Sequence, residues 1–288
     1  MALIDALQSS AAWLWVSAGL LGLCVGSFLN VVIHRLPIMM ERQWRRECAE
    51  LHGEEPPVFE RLDLMFPPSR CPACGAGISG LQNIPVASWL ALGRKCAGCR
   101  TPISARYPAV ELLGGALAVL MAWRFGFSWA LAAALLYAWA MLALTFIDFD
   151  TQLLPDDITL PLMWAGLLAN YLGGFTDLGS AVLGAAGGYL LLWSVYWAFR
   201  LIAKKEGMGY GDFKLLAAIG AWTGWQVLPF VVLVSAGLGA VIGSLFLWLS
   251  RKGADTRIPF GPYLALGGIA GLLFGREAVI LWIGRFPG

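Results

Sequence analysis

AAWLWVSAGLLGLCVGSFLNVVI, residues 11–33, runs for 23 residues without a charge. At ~1.5 Å per residue, a helix of that length more than crosses a hydrocarbon core of ~30 Å, so this stretch reads as a membrane span. Seven more apolar runs follow, at about 108–124, 128–147, 158–175, 179–199, 213–226, 228–250 and 259–283. The fold class is therefore an all-α polytopic membrane protein with about eight transmembrane helices. The run 213–226 is short for a span, which leaves a seven-span count open. Composition agrees: 59% of the 288 residues are hydrophobic and 13% are charged, against roughly 25% charged in soluble domains. The lipid bilayer is the chain's surroundings, and no nucleic-acid partner is expected. Only Asp5 and no cation precedes the first run, so that span is expected to stay as an anchor rather than be removed as a signal peptide.

The charges are concentrated. Residues 34–107 hold ten of the twenty Lys and Arg, seven of the eighteen Asp and Glu, and both histidines. The chain thus divides into a first transmembrane helix over 1–33, a soluble insert over 34–107, and a helical bundle over 108–288. Short loops rich in Lys and Arg stay in the cytoplasm. The clusters Arg35–Arg106, Arg200/Lys204/Lys205/Lys214 and Arg251/Lys252/Arg257 then fall on that side, with both termini outside. The same alternation puts the loop 148–157 on the cytoplasmic side, so Asp148 and Asp212 share a membrane face. Glycines four apart, at Gly22/Gly26, Gly184/Gly188, Gly239/Gly243 and Gly267/Gly271, suit close packing of helices in lipid.

Inside the insert, Cys71-Pro72-Ala73-Cys74 and Cys96-Ala97-Gly98-Cys99 form two C-x2-C knuckles separated by 21 residues. Paired knuckles at that spacing read as a structural zinc site, with Gly75 and Gly98 suited to the tight turns. Disulfides are the competing reading, but a cytoplasmic insert keeps its thiols reduced. Four Cys ligands leave no open position, so the metal folds the insert rather than catalysing. Cys24 and Cys48 read as unpaired packing or surface residues.

Four acids cluster in Asp148-Phe149-Asp150-Thr151-Gln152-Leu153-Leu154-Pro155-Asp156-Asp157. Asp156 or Asp157 is placed to cap the helix that follows, and Asp150 to sit in solvent. Asp148 directly follows an apolar run, where an unpaired carboxylate is costly. Asp212, in Gly207-Met208-Gly209-Tyr210-Gly211-Asp212-Phe213-Lys214-Leu215, sits likewise at the lip of an apolar run. Two carboxylates at similar depth on one face suit an aspartic protease dyad, in which one member stays protonated and the ionised one activates water. Capping with helix packing, or an ion pathway, stands beside that reading. Glu111, after Pro108, reads as an acid in the first turn of the second span.

Further motifs narrow the choice. Gly209-Tyr210-Gly211-Asp212 resembles the G-x-G-D signature of membrane-embedded aspartyl proteases, and Ile147-Asp148 with Leu154-Pro155-Asp156 resembles its partner motif. Gly26-Ser27-Phe28-Leu29-Asn30-Val31-Val32-Ile33-His34-Arg35-Leu36-Pro37, with the knuckles, is similar to the N-terminal region of bacterial type IV prepilin peptidases. The resemblance covers nearly the whole chain, with the motifs in the family's order. It implies a bifunctional inner-membrane enzyme that cuts the leader from type IV prepilins and type II secretion pseudopilins at the cytoplasmic face. The new N-terminus would then be methylated from S-adenosylmethionine. It further implies Asp148 and Asp212 as the catalytic pair, zinc on Cys71, Cys74, Cys96 and Cys99, and pilus or secretion assembly machinery as possible partners. No G-x-G-x-x-G follows a strand, so no residue of the chain marks a methyl-donor pocket. An ion- or proton-coupled carrier and a non-catalytic secretion-assembly protein are the rival readings.

Overall fold

The structure, a computed structural model, describes residues 7–204, 208–250 and 259–284. Gly207 and four of the cations used for orientation, Lys205, Arg251, Lys252 and Arg257, lie outside the described residues. Among the described residues the fold is helical, with only two isolated β-bridges. The helices are α1 (Ala11–His52), α2 (Ala87–Ala91), α3 (Arg106–Phe125), α4 (Trp129–Thr151), α5 (Asp156–Tyr171), α6 (Leu178–Ala203), α7 (Tyr210–Thr223), α8 (Leu228–Ser250) and α9 (Gly261–Ile283). Each of the eight apolar runs is a helix. Among the described residues, six helices are long and apolar enough to cross a membrane. The other two, α5 and α7, measure only ~24 and ~21 Å at ~1.5 Å per residue, short of a ~30 Å core. The expected eight spans thus become six long helices and two short ones.

The chain forms two compact units, one up to Phe127 and one from Ser128 onward. In the first, α1 does not stop at the end of its apolar run. It continues through Pro37 to His52, where Gly53, at φ +69°, closes it with N–H bonds to the last turn. Residues 38–52 are mostly Met, Glu, Arg, Gln, Ala and Leu, all good helix formers that outweigh one proline. Alongside it runs α3, and glycine sets the approach. A methyl group on Gly22 would stand 2.5 Å from the Gly114 carbonyl oxygen and 2.7 Å from Ala118 Cβ; one on Gly26 would stand 2.7 Å from Glu111 Cα. Gly22→Val should therefore destabilise this pair by about 1–3 kcal/mol, read as a lower melting temperature in detergent. An unchanged melt would mean that α1 and α3 have slack.

In the second unit, α7 lies innermost. From Asp212 to Thr223 every residue except Lys214 is buried, as expected of a helix that is apolar all round. Its neighbours close over it through small residues: Gly184 of α6 meets Gly220 backbone to backbone, and a methyl on Gly188 would stand 2.5 Å from the Leu216 carbonyl oxygen. Its last turn is capped from α5. The Asn170 amide donates to the carbonyls of Ala221 and Trp222 at 2.8 and 3.1 Å and accepts from the N–H groups of Phe175 and Thr176. The Trp222 indole N–H donates to the Leu162 carbonyl at 2.8 Å. Burial by neighbouring helices lets α7 be short, since its backbone ends find protein partners rather than lipid.

Candidate active site and metal centre

Asp148 stands near the C-terminal end of α4 and Asp212 in the first turn of α7, and both are buried. The cap of α7 is Gly209, in extended conformation. Asp212 occupies the third helical position, from which its carboxylate reaches back to the Gly209 N–H, the acid half of a capping box. Asp212 is thus not itself the cap, which was the bland alternative. Asp148 accepts the Gly261 N–H on Oδ2 at 3.0 Å. Gly261 opens α9, so the N-terminus of that helix faces the carboxylate, the end whose free N–H groups favour negative charge.

One side chain joins these two corners. Leu154 Cβ would lie 2.8 Å from a methyl on Gly211, and its Cδ2 3.2 Å from one on Gly261. Asp148 and Asp212 lie within range of one another's charge, although among the described residues no hydrogen bond joins them. Of the other acids in the 148–157 loop, Asp150 and Asp157 are exposed. Asp156 is bound by the Lys214 ammonium, 2.7 Å from each carboxylate oxygen. The helix cap there is Pro155, with Asp156 and Asp157 in the first turn, so neither acid is the expected N-cap. The sequence reading missed Gly261 and the Asp156–Lys214 pair. Pro262 marks a helix start, but nothing local says that this start faces Asp148.

A methyl group on Gly261 would stand 2.6 Å from Asp148 Oδ2, closer than atoms tolerate, so the carboxylate would have to move. Gly261→Ala is expected to cut turnover by about 10²-fold, the scale of a 1 Å misplacement. A variant turning over at the wild-type rate would show that the position of Asp148 is not critical.

In the insert, the four Sγ atoms of Cys71, Cys74, Cys96 and Cys99 lie within 4.8 Å of one another. Cys71 and Cys99 are 3.8 Å apart. A tetrahedron of ~2.3 Å Zn–S bonds has edges of about 3.8 Å, so the donor set fits zinc. Each knuckle is closed by one β-bridge, Arg70 to Gly77 and Lys95 to Pro102. The left-handed turn residue after the first knuckle is Gly75, at φ +70°. In the second knuckle the corresponding residue is Arg100, at φ +62°, rather than Gly98, because the turn follows the second Cys of each pair. The hydroxyl and backbone of Thr101 lower the Cys99 thiol to about 6. Cys74 moves the other way. A backbone hydrogen bond from Ala76 acts to lower it, but the crowding thiols of Cys99 and Cys71 prevail and push it up to about 11. Four thiolates in this space need a cation.

Glu111 lies in the second turn of α3, because that helix begins at Arg106 rather than at Pro108. Its carboxylate accepts the Val86 N–H at 2.7 Å instead of serving the helix start. Arg35 is also buried, donating to the carbonyls of Asp63 and Pro67 at 2.9 and 2.6 Å, and so holds the insert to α1.

Known proteins match both units. The family model described as Bacterial Peptidase A24 N-terminal domain matches residues 20–125, and the one described as Type IV leader peptidase family matches residues 135–244. The chain belongs to the type IV leader peptidase family. It is 53% identical to the prepilin leader peptidase/N-methyltransferase of Aeromonas hydrophila over 289 residues, covering 98% of each chain. The proteins of the same name from Stutzerimonas stutzeri and Pseudomonas aeruginosa are 53% and 52% identical, with coverage of 95% and 96% of each chain. No solved structure matches. Membership of this leader peptidase family, with six membrane-length helices, makes the chain an integral inner-membrane protein.

Proposed function

We infer that the chain removes the leader peptide of type IV prepilins and type II secretion pseudopilins and then methylates the new N-terminus, with Asp148 and Asp212 as the peptidase dyad. The observation that carries the reading is the placement of both aspartates, buried in one unit, at two helix ends bridged by Leu154. Two carboxylates in a site of low dielectric share a proton rather than carry two charges. The ionised member takes a proton from water, whose oxygen attacks the scissile carbonyl carbon, while the protonated member donates to the carbonyl oxygen. As the tetrahedral intermediate collapses, the C–N bond breaks and the amine leaves with a proton from the dyad. A basic leader followed by an apolar helix places the cut at the cytoplasmic interface, in keeping with the positive-inside reading of the loops.

The four cysteines hold zinc, which folds the insert and takes no part in either reaction. S-adenosylmethionine supplies the methyl group, and assembly machinery of pili or type II secretion receives the product. Purified protein incubated in detergent with a prepilin and labelled S-adenosylmethionine tests the whole reading. Leader release followed by label on the pilin N-terminus is expected. Absence of both would favour an ion-coupled carrier or an assembly protein.

A further inference from the structure

Glu111 is a buried carboxylate for which peptide cleavage has no use. Among the described residues of the first unit it is the only buried acid, at 8% exposure. It receives two neutral donors, the Val86 N–H at 2.7 Å and the Ser27 hydroxyl. No Lys, Arg or His pairs with it among the described residues. A carboxylate withdrawn from water without a counter-charge is costly, and a cationic ligand removes that cost.

Its surroundings place it at a junction. Gly26 of α1 packs against Glu111 Cα, and the Asn30 amide, one turn on, donates to the Tyr107 carbonyl at 3.1 Å. The carboxylate thus sits in the seam of α1 and α3, within ~8 Å of the start of α3 at Arg106. Val86, which it holds, lies between the two zinc knuckles and has φ +59°, a conformation valine rarely adopts. Glu111 therefore meets the insert and both long helices of this unit.

Resting on the reading that this chain is an N-methyltransferase, we infer that Glu111 binds the α-ammonium of the cleaved pilin and takes its proton during methyl transfer. An ammonium has no lone pair with which to attack. Once Glu111 accepts the proton, the nitrogen lone pair displaces the methyl carbon from the sulfonium sulfur. A C–N bond forms, the C–S bond breaks to leave a neutral thioether, and the proton passes from Glu111 to water.

The test uses full-length protein and a pre-cleaved pilin with a free N-terminal amine. Wild-type protein that transfers no label would overturn the N-methyltransferase reading itself. If it does transfer label, Glu111→Gln, which can still accept the Val86 N–H, should lower kcat for methylation by at least about 10²-fold. KM for S-adenosylmethionine, leader cleavage and zinc content should stay within threefold. Ser27→Ala, which spares the carboxylate, should methylate within about tenfold of wild type. Methylation by Glu111→Gln within threefold of wild type would overturn the inference. So would an equal fall in cleavage and methylation, the mark of a structural role. A rise in KM for S-adenosylmethionine alone would also overturn it, since Glu111 would then serve the sulfonium donor.

Discussion

Asp148→Asn and Asp212→Asn should each lower the rate of leader removal by about 10³-fold or more, roughly 4 kcal/mol of lost transition-state stabilisation. Asparagine keeps the size of aspartate and can still accept a hydrogen bond, so the Gly261 N–H at position 148 retains a partner. It can neither take a proton from water nor donate an acidic one to the carbonyl oxygen. Fold loss is not the expected cause, because each change removes a buried charge rather than adding one. Melting in detergent should be unchanged or slightly improved. Members of one dyad act on one transition state, so the double variant is expected to be little slower than either single one. Capping or ion relay predicts a different pattern: cleavage would then survive at least one of the two substitutions. Asp150→Asn and Asp157→Asn change exposed carboxylates and should cleave normally. Retention of activity within tenfold by either Asp148→Asn or Asp212→Asn would rule out the dyad.

What the sequence disclosed depended on whether the signal was local. All eight helices of the apolar runs, the six long and the two short, could be read from those runs, because a helix among lipid or other helices must satisfy its backbone internally and cannot hide charges. Where α1 ends could not, since the residues after its apolar run are charged but still good helix formers. The cysteine spacing pointed to the cluster of four thiols, because two knuckles that share one centre have little freedom. The turn after the second knuckle was misplaced, for composition favours Gly98 while the backbone puts the left-handed residue at Arg100. Asp148 and Asp212 stood out as charges at the edge of apolar runs. Gly261, which donates to Asp148, did not, because its role comes from α9 packing onto α4, a contact across 113 positions of sequence. Glu111 was misread by a related error. Pro108 suggested a helix start that falls instead at Arg106, and the Val86 partner lies in the insert.

Zinc removal should unfold the insert. From Gly53 to Ala105 the only buried residue is Cys71, while Val58, Met65 and Leu81 are largely exposed. A segment with so little apolar burial cannot offset the entropy of ordering its backbone. A structural zinc supplies roughly 10–16 kcal/mol in isolated zinc peptides, enough to close that gap. Freshly purified reduced protein should therefore carry one zinc per chain. Treatment with a chelator should make the Cys71 and Cys96 amides, which bond to the carbonyls of Ala76 and Thr101 at 2.9 Å, exchange rapidly with solvent. Cys71→Ser and Cys99→Ser should each lower zinc content and open the insert to proteases. The pH dependence has a defined sign. Zinc binds thiolates, so protons compete with it, and Cys99, lowered to about 6 by Thr101, keeps its thiolate at neutral pH. Cys74, pushed up to about 11, must lose its proton to bind, so affinity should still rise above pH 7 and should fall further as the pH drops through about 6, where Cys99 takes up its proton too. Exchange at Cys71 and Cys96 that is slow in both the presence and the absence of chelator would mean that the knuckles hold without metal, as two disulfides would.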